Sequence, residues 1–152
     1  MRYLLDTSIC IFFLRGKLNL DEVLKEKGRE NCFISEITLV ELRYGAENSA
    51  HPKKSHKAVD AFVNGLSIIP IYGCIRLYAK EKVRLRKIGK PINDEFDLLI
   101  GVTAIENKLI LVTVLNLIIG LLEIDFSLLL PKKTITKIHI EQFLRCSGSG
   151  SV

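Results

Sequence analysis

Short, unbroken apolar runs set between amphipathic segments leave this chain few folds to choose from. Tyr3-Leu4-Leu5, Cys32-Phe33-Ile34 and residues 109–113 are such runs, and residues 67–71 add a β-branched candidate. Runs of this length are too short for a helix, and their lack of polar alternation marks strands buried on both faces. Helical patterns separate them. That alternation predicts an α/β fold with a central, mainly parallel sheet flanked by helices. In such a sheet ligands sit beyond the carboxyl ends of the strands, and Asp6 stands at that end of the first run. The 152 residues suit one domain with a core of its own.

The first run closes on Asp6-Thr7-Ser8, with Thr7 or Ser8 placed to N-cap a helix over residues 9–14 that Arg15-Gly16-Lys17 terminates. A polar helix follows over Leu20–Lys27. Ser35 ends the second strand as the N-cap of a helix over residues 36–44, with Gly45 as its stop. Residues 46–57 read as a charged connection, partly helical, leading into 58–64. A long basic helix is expected over 73–88, broken by Gly89-Lys90-Pro91. Another is expected over 94–107, with Ile100, Gly101 and Ala104 on one face.

Composition removes several classes of protein. The 22 Lys+Arg against 17 Asp+Glu give a net charge of +5, and the 48% hydrophobic content argues against disorder. No stretch without a charge, that between Lys108 and Glu123 included, is long enough to span a bilayer. An acid at position 6 comes too early for a secretory leader. The chain therefore reads as cytoplasmic, with no membrane association. Cys10, Cys32, Cys74 and Cys146 lie far apart with no C-x-x-C pair, so they read as reduced thiols filling apolar space. His51 and His56 fall among Lys53, Lys54 and Lys57, and His139 is isolated. Any metal would have to be held by oxygen.

Three acids occupy positions where a carboxylate is costly. Asp6 directly follows an apolar strand. Glu41 shares the i, i+3, i+4, i+7 stripe of Ile37, Val40 and Tyr44, expected to face the core. Asp97 lies in the first turn of its helix on the face of Ile100, Gly101 and Ala104. Each has a structural reading: Asp6 as a cap, Glu41 paired with Arg43, Asp97 complementing a helix dipole. Three separate elements that each direct one carboxylate toward an apolar face, with no matching Lys or Arg, point instead to a shared hard cation such as Mg²⁺ or Mn²⁺.

Tyr3-Leu4-Leu5-Asp6-Thr7-Ser8-Ile9, Ile34-Ser35-Glu36-Ile37-Thr38-Leu39-Val40-Glu41-Leu42-Arg43-Tyr44-Gly45 and Pro91-Ile92-Asn93-Asp94-Glu95-Phe96-Asp97-Leu98-Leu99-Ile100 together resemble the PIN domain. More closely, they resemble the VapC toxins of bacterial toxin–antitoxin pairs. The resemblance covers about three quarters of the chain. It implies a PIN-like three-layer fold and a Mg²⁺- or Mn²⁺-dependent endoribonuclease with acids at the carboxyl edge of the sheet. On that resemblance Asp6, Glu41 and Asp97 are catalytic residues and metal ligands, with Thr7, Ser8 and Asp94 in support. It also implies a homodimer and a VapB-like antitoxin, taken up near the early helices and the apolar Ile11, Phe12, Phe13 and Leu14.

The likeness ends at Thr113. Where the family turns polar, Val114-Leu115-Asn116-Leu117-Ile118-Ile119-Gly120-Leu121-Leu122 is apolar, so neither Asn116 nor Asp125 can be assigned as a fourth acidic-site residue. Residues 1–113 are thus expected to form the PIN domain, 114–146 a divergent end of the same domain or the product of a frameshift, and 147–152 a flexible Ser-Gly tail. The divergence also leaves open a PIN-like module that binds an antitoxin or dimerises without cleaving RNA. The basic residues of 76–90, Arg76, Lys80, Arg84 and Lys87 among them, are candidates for contact with RNA phosphates. No aromatic interleaving of the RRM kind is evident there.

Overall fold

The computed structural model describes residues 1–16, 20–89, 91, 94–113 and 138–139. Strands β1 (Tyr3–Leu5), β2 (Cys32–Ser35), β3 (Ser67–Ile69) and β4 (Ile110–Thr113) form a parallel sheet in the order β3-β2-β1-β4. A two-residue strand, β5 (Ile138–His139), pairs parallel with β4 at the far edge. The helices are α1 (Thr7–Leu14), α2 (Leu20–Lys27), α3 (Glu36–Glu47), α4 (Pro52–Val63), α5 (Ile75–Lys87) and α6 (Glu95–Glu106). The expected α/β architecture with a parallel sheet is what forms.

Alternation along the strands divides the core between two faces. Tyr3, Leu5, Cys32, Ile34 and Val112 pack with Ile9, Leu24, Leu42, Val59 and Phe62, so α1 to α4 supply this side. Leu4 and Leu111 point the other way, against Ile37, Ile100, Ala104 and Leu109. A third cluster joins Cys74 and Leu85 to Leu98 and Val102, placing α5 against α6. Helix α6, between the sheet and α5, is buried from Leu98 to Ala104 apart from half-buried Leu99. That explains why its apolar residues run nearly all round the helix rather than along one stripe.

Several boundaries differ from the sequence reading for local reasons. Helix α1 begins at Thr7 and is capped by Asp6, the structural reading offered for that acid, rather than by Thr7 or Ser8; a single residue separates it from β1, so the cap can only be Asp6. Ser35 caps α3 as expected, accepting the Thr38 N–H at 2.9 Å. The helix nevertheless runs through Gly45 to Glu47, because Ala46 in the next position is buried in the core. That burial outweighs the ~1 kcal/mol cost of a helical glycine. Residues 52–63 are one helix with Pro52 in its first turn, a favourable place for proline. It is tied to α3 by Arg43–Asp60 at 2.6 Å and His56–Glu47 at 2.8 Å. Residues 72–74 form a 3₁₀ turn before α5, whose end is set by Gly89 at φ +73°, a left-handed conformation suited to glycine.

Cys10, Cys32 and Cys74 are free and buried, as expected. Cys146, Asn116, Asp125 and the expected division of residues 114–152 lie outside the described residues, β5 excepted. Among the described residues no helix is long and apolar enough to cross a membrane. Leu4, fully buried in the central strand, is expected to carry a large share of the packing. Leu4→Ala should lower unfolding free energy by about 2–5 kcal/mol, measured as a reduced urea midpoint at unchanged m-value.

Candidate active site

Because the sheet is parallel, its strands end at one edge, with Asp6 after β1, Ser35 closing β2 and Thr113 closing β4. The chain winds from β1 to β2 and β3 on one side, then returns to place β4 on the other. The order therefore reverses between β1 and β4, where open α/β sheets form ligand crevices. Asp6 stands at that point, its N–H bonded to the Val112 carbonyl at 3.0 Å.

The Asp6 side chain is buried, and neutral donors hold it. Its Oδ1 accepts the Thr7 N–H at 2.7 Å, and its Oδ2 accepts the Ser8 hydroxyl at 2.8 Å and the Thr113 hydroxyl at 2.7 Å. Thr7 also donates its own hydroxyl to Glu41 Oε2 at 2.5 Å, linking α1 to α3. Glu41 is half-buried, but the stripe proposed for it is not the core face of α3. Val40 and Tyr44 are exposed, whereas Ile37, Thr38, Leu42 and Ala46 turn inward. Glu41 stands at the margin of the packed surface, within reach of solvent.

Asp94 N-caps α6 by accepting the Phe96 N–H at 2.8 Å, and Asp97 follows in the first turn. Burial, and then the negative charges of Asp6, Asp94 and Glu41, push Asp97 from the ordinary 3.8 up to about 6. Burial also raises Glu41; the Thr7 hydroxyl opposes this, and Asp6 and Asp94 reinforce it. These mutual effects place four carboxylates from three elements in one electrostatic neighbourhood. None of them forms an ion pair among the described residues.

The arrangement suits a hard divalent cation in donor chemistry and charge: all its ligands would be oxygens, and its negative charge is uncompensated. Among the described residues no three of the Asp, Glu, His and Cys side chains are already gathered as an ion site. The basic candidates on α5 divide into two kinds. Arg76, Lys80 and Lys87 are exposed, whereas Arg84 is half-buried and bonded to Glu81 at 2.7 Å.

Thr113 escaped the sequence reading as a member of this site. Its signal lay in topology: a hydroxyl residue closing a strand becomes a neighbour of Asp6 only when β4 pairs with β1.

Residues 3–114 match the PIN domain family, and the chain belongs to that family. A tRNA(fMet)-specific endonuclease VapC from Shigella flexneri is 30% identical over 115 residues, which cover 74% of this chain and 86% of the relative. Ribonuclease VapC2 from Rickettsia felis is 32% identical over 118 residues, with the same coverages of 74% and 86%. The solved VapBC2 complex from Rickettsia felis, bound to a DNA fragment from its promoter, aligns at a TM-score of 0.72 and 27% identity. That alignment covers 91% of this chain and 99% of the other. Within its family this chain is a VapC-like toxin ribonuclease.

Two outcomes test the electrostatics. In metal-free protein, Asp97 favours the folded state when protonated, so its contribution is full below about pH 4 and lost as pH rises through about 6. Asp97→Asn should therefore melt above the parent at pH 7.5 in EDTA, with the gap closing as pH falls to 4. Thr113→Val removes a donor from a buried carboxylate and should cost about 1.5–3 kcal/mol in urea unfolding at pH 7.

Proposed function

We propose that this chain hydrolyses RNA phosphodiester bonds with Mg²⁺ or Mn²⁺ held by Asp6, Glu41 and Asp97. The supporting observation is the crowding of these carboxylates with Asp94 at the sheet edge, where Asp97 is pushed up to about 6 and none of the four has a cationic partner among the described residues. A bound divalent ion would acidify water and neutralise charge developing on the phosphoryl oxygens.

The remaining work falls to the chain itself. Thr113, Ser8 and the Thr7 N–H fix both oxygens of Asp6, so this ligand is oriented before any ion arrives. Thr7 orients Glu41 through Oε2 and leaves Oε1 free among the described residues. A carboxylate oxygen not engaged by the ion can accept a proton from the attacking water. Exposed cations of α5 hold substrate phosphates away from the acids. Two of the relatives are named for tRNA(fMet) cleavage, which supports a tRNA as the first substrate to test with this chain. A VapB-like antitoxin is its partner, as in the related complexes, and the toxin pairs as a homodimer in the cytoplasm.

The test is cleavage of a tRNA panel by purified protein with Mg²⁺, Mn²⁺ or EDTA. Asp6→Asn is expected to reduce cleavage about a hundredfold or more while still unfolding in a cooperative melting transition. Equal cleavage by that variant, or undiminished cleavage in EDTA, would remove the acid site from the mechanism. Intact RNA under every condition would leave a binding module.

A further inference from the structure

The turn between β3 and α5 carries an unusual pairing of rigidity and exposure. It leaves β3 at the same sheet edge as Asp6, two strands away, or ~10 Å at the usual strand spacing. The Ile71 N–H is anchored to Glu36 Oε2 at 3.2 Å, in the first turn of α3, and the Cys74 N–H returns to the Ile71 carbonyl at 2.8 Å. Cys74 is buried and Ile71 packs on the core. Tyr72, held between them, is nevertheless 85% exposed. A fixed backbone thus presents an aromatic ring to solvent.

One and two helical turns further on stand Arg76 and Lys80, both exposed and neither in an ion pair among the described residues. Their neighbours are committed elsewhere: Lys82 to Glu95 and Tyr78, Arg84 to Glu81. The four-residue step advances ~6 Å along the helix, a span close to the separation of adjacent phosphates in an extended strand. A two-fold contact of this helix with its own copy would oppose Arg76, Lys80, Arg86 and Lys87 to themselves. The charge favours a polyanion.

We propose that Tyr72, Arg76 and Lys80 form a contact line for single-stranded RNA, with a base stacked on the Tyr72 ring and successive phosphates on the two cations. The line rests on the reading of the acid cluster as an RNA-cleaving site, to which it feeds an unpaired segment. It assigns the enzyme to loops or single-stranded ends, since a base inside a duplex offers no free face to the ring.

The experiment uses the full chain as Asp6→Asn in EDTA, so that RNA stays intact, with a single-stranded RNA oligomer carrying 2-aminopurine and its duplex form. Quenching on binding is expected for the single strand. Tyr72→Ala should abolish the quench and weaken binding about five- to a hundredfold, and Tyr72→Phe should restore both. Arg76→Gln with Lys80→Gln should lower the slope of log K against log salt by about 1.4. With an active chain, Tyr72→Ala should raise KM and leave kcat nearly unchanged. Parental quenching and affinity in Tyr72→Ala, or duplex bound as tightly as single strand, would overturn the proposal. So would a Tyr72→Ala variant whose only change is a lower sedimentation coefficient, which would assign the face to a second copy. Metal-dependent cleavage by the parent chain is scored separately, so the acid site can stand if the contact line falls.

Discussion

Holding like charges together is the constraint around which this molecule is arranged. Asp6 is buried, Glu41 and Asp97 feel its charge, and both also feel that of Asp94. No cation from the described chain relieves them. Hydroxyls and backbone N–H groups hold the cluster instead: Thr7, Ser8 and Thr113 donate to it without cancelling its charge. A lysine in any of those places would cancel part of that charge. Neutral donors fix orientation and leave the charge in place, at a cost in stability.

The layered core makes this arrangement tolerable. Side chains on both faces of β1 are buried, so the strand that carries Asp6 cannot move aside under repulsion. Helix α6 is gripped between the sheet and α5, which fixes Asp97 from behind.

Much of this was legible from residue order. Apolar runs without alternation announced parallel strands, and Asp6, Glu41 and Asp97 were conspicuous as acids on packed elements. Local geometry was harder to read. The cap of α1 moved to Asp6 because one residue spans the junction, and Gly45 failed to end α3 because Ala46 beyond it gains burial. The stripe containing Val40 and Tyr44 had the right period but the wrong phase, since period alone does not say which face meets the sheet. Thr113 was invisible as a site residue because its role depends on strand order, and strand order is not written in any local window. Tyr72 was overlooked for a similar reason: its exposure follows from the anchoring of Ile71 and Cys74.

The hydrogen bond from Thr113 to Asp6 joins residues 107 positions apart. The pocket's first carboxylate leaves the ribosome almost at once, but the strand that closes over it is among the last parts of the PIN segment to be made. Until β4 inserts beside β1, Asp6 lacks the Thr113 donor and one wall, and α6 lacks Leu111 among its packing partners. Long-range topology thus completes the surroundings of Asp6 only when nearly all of the PIN segment has been made.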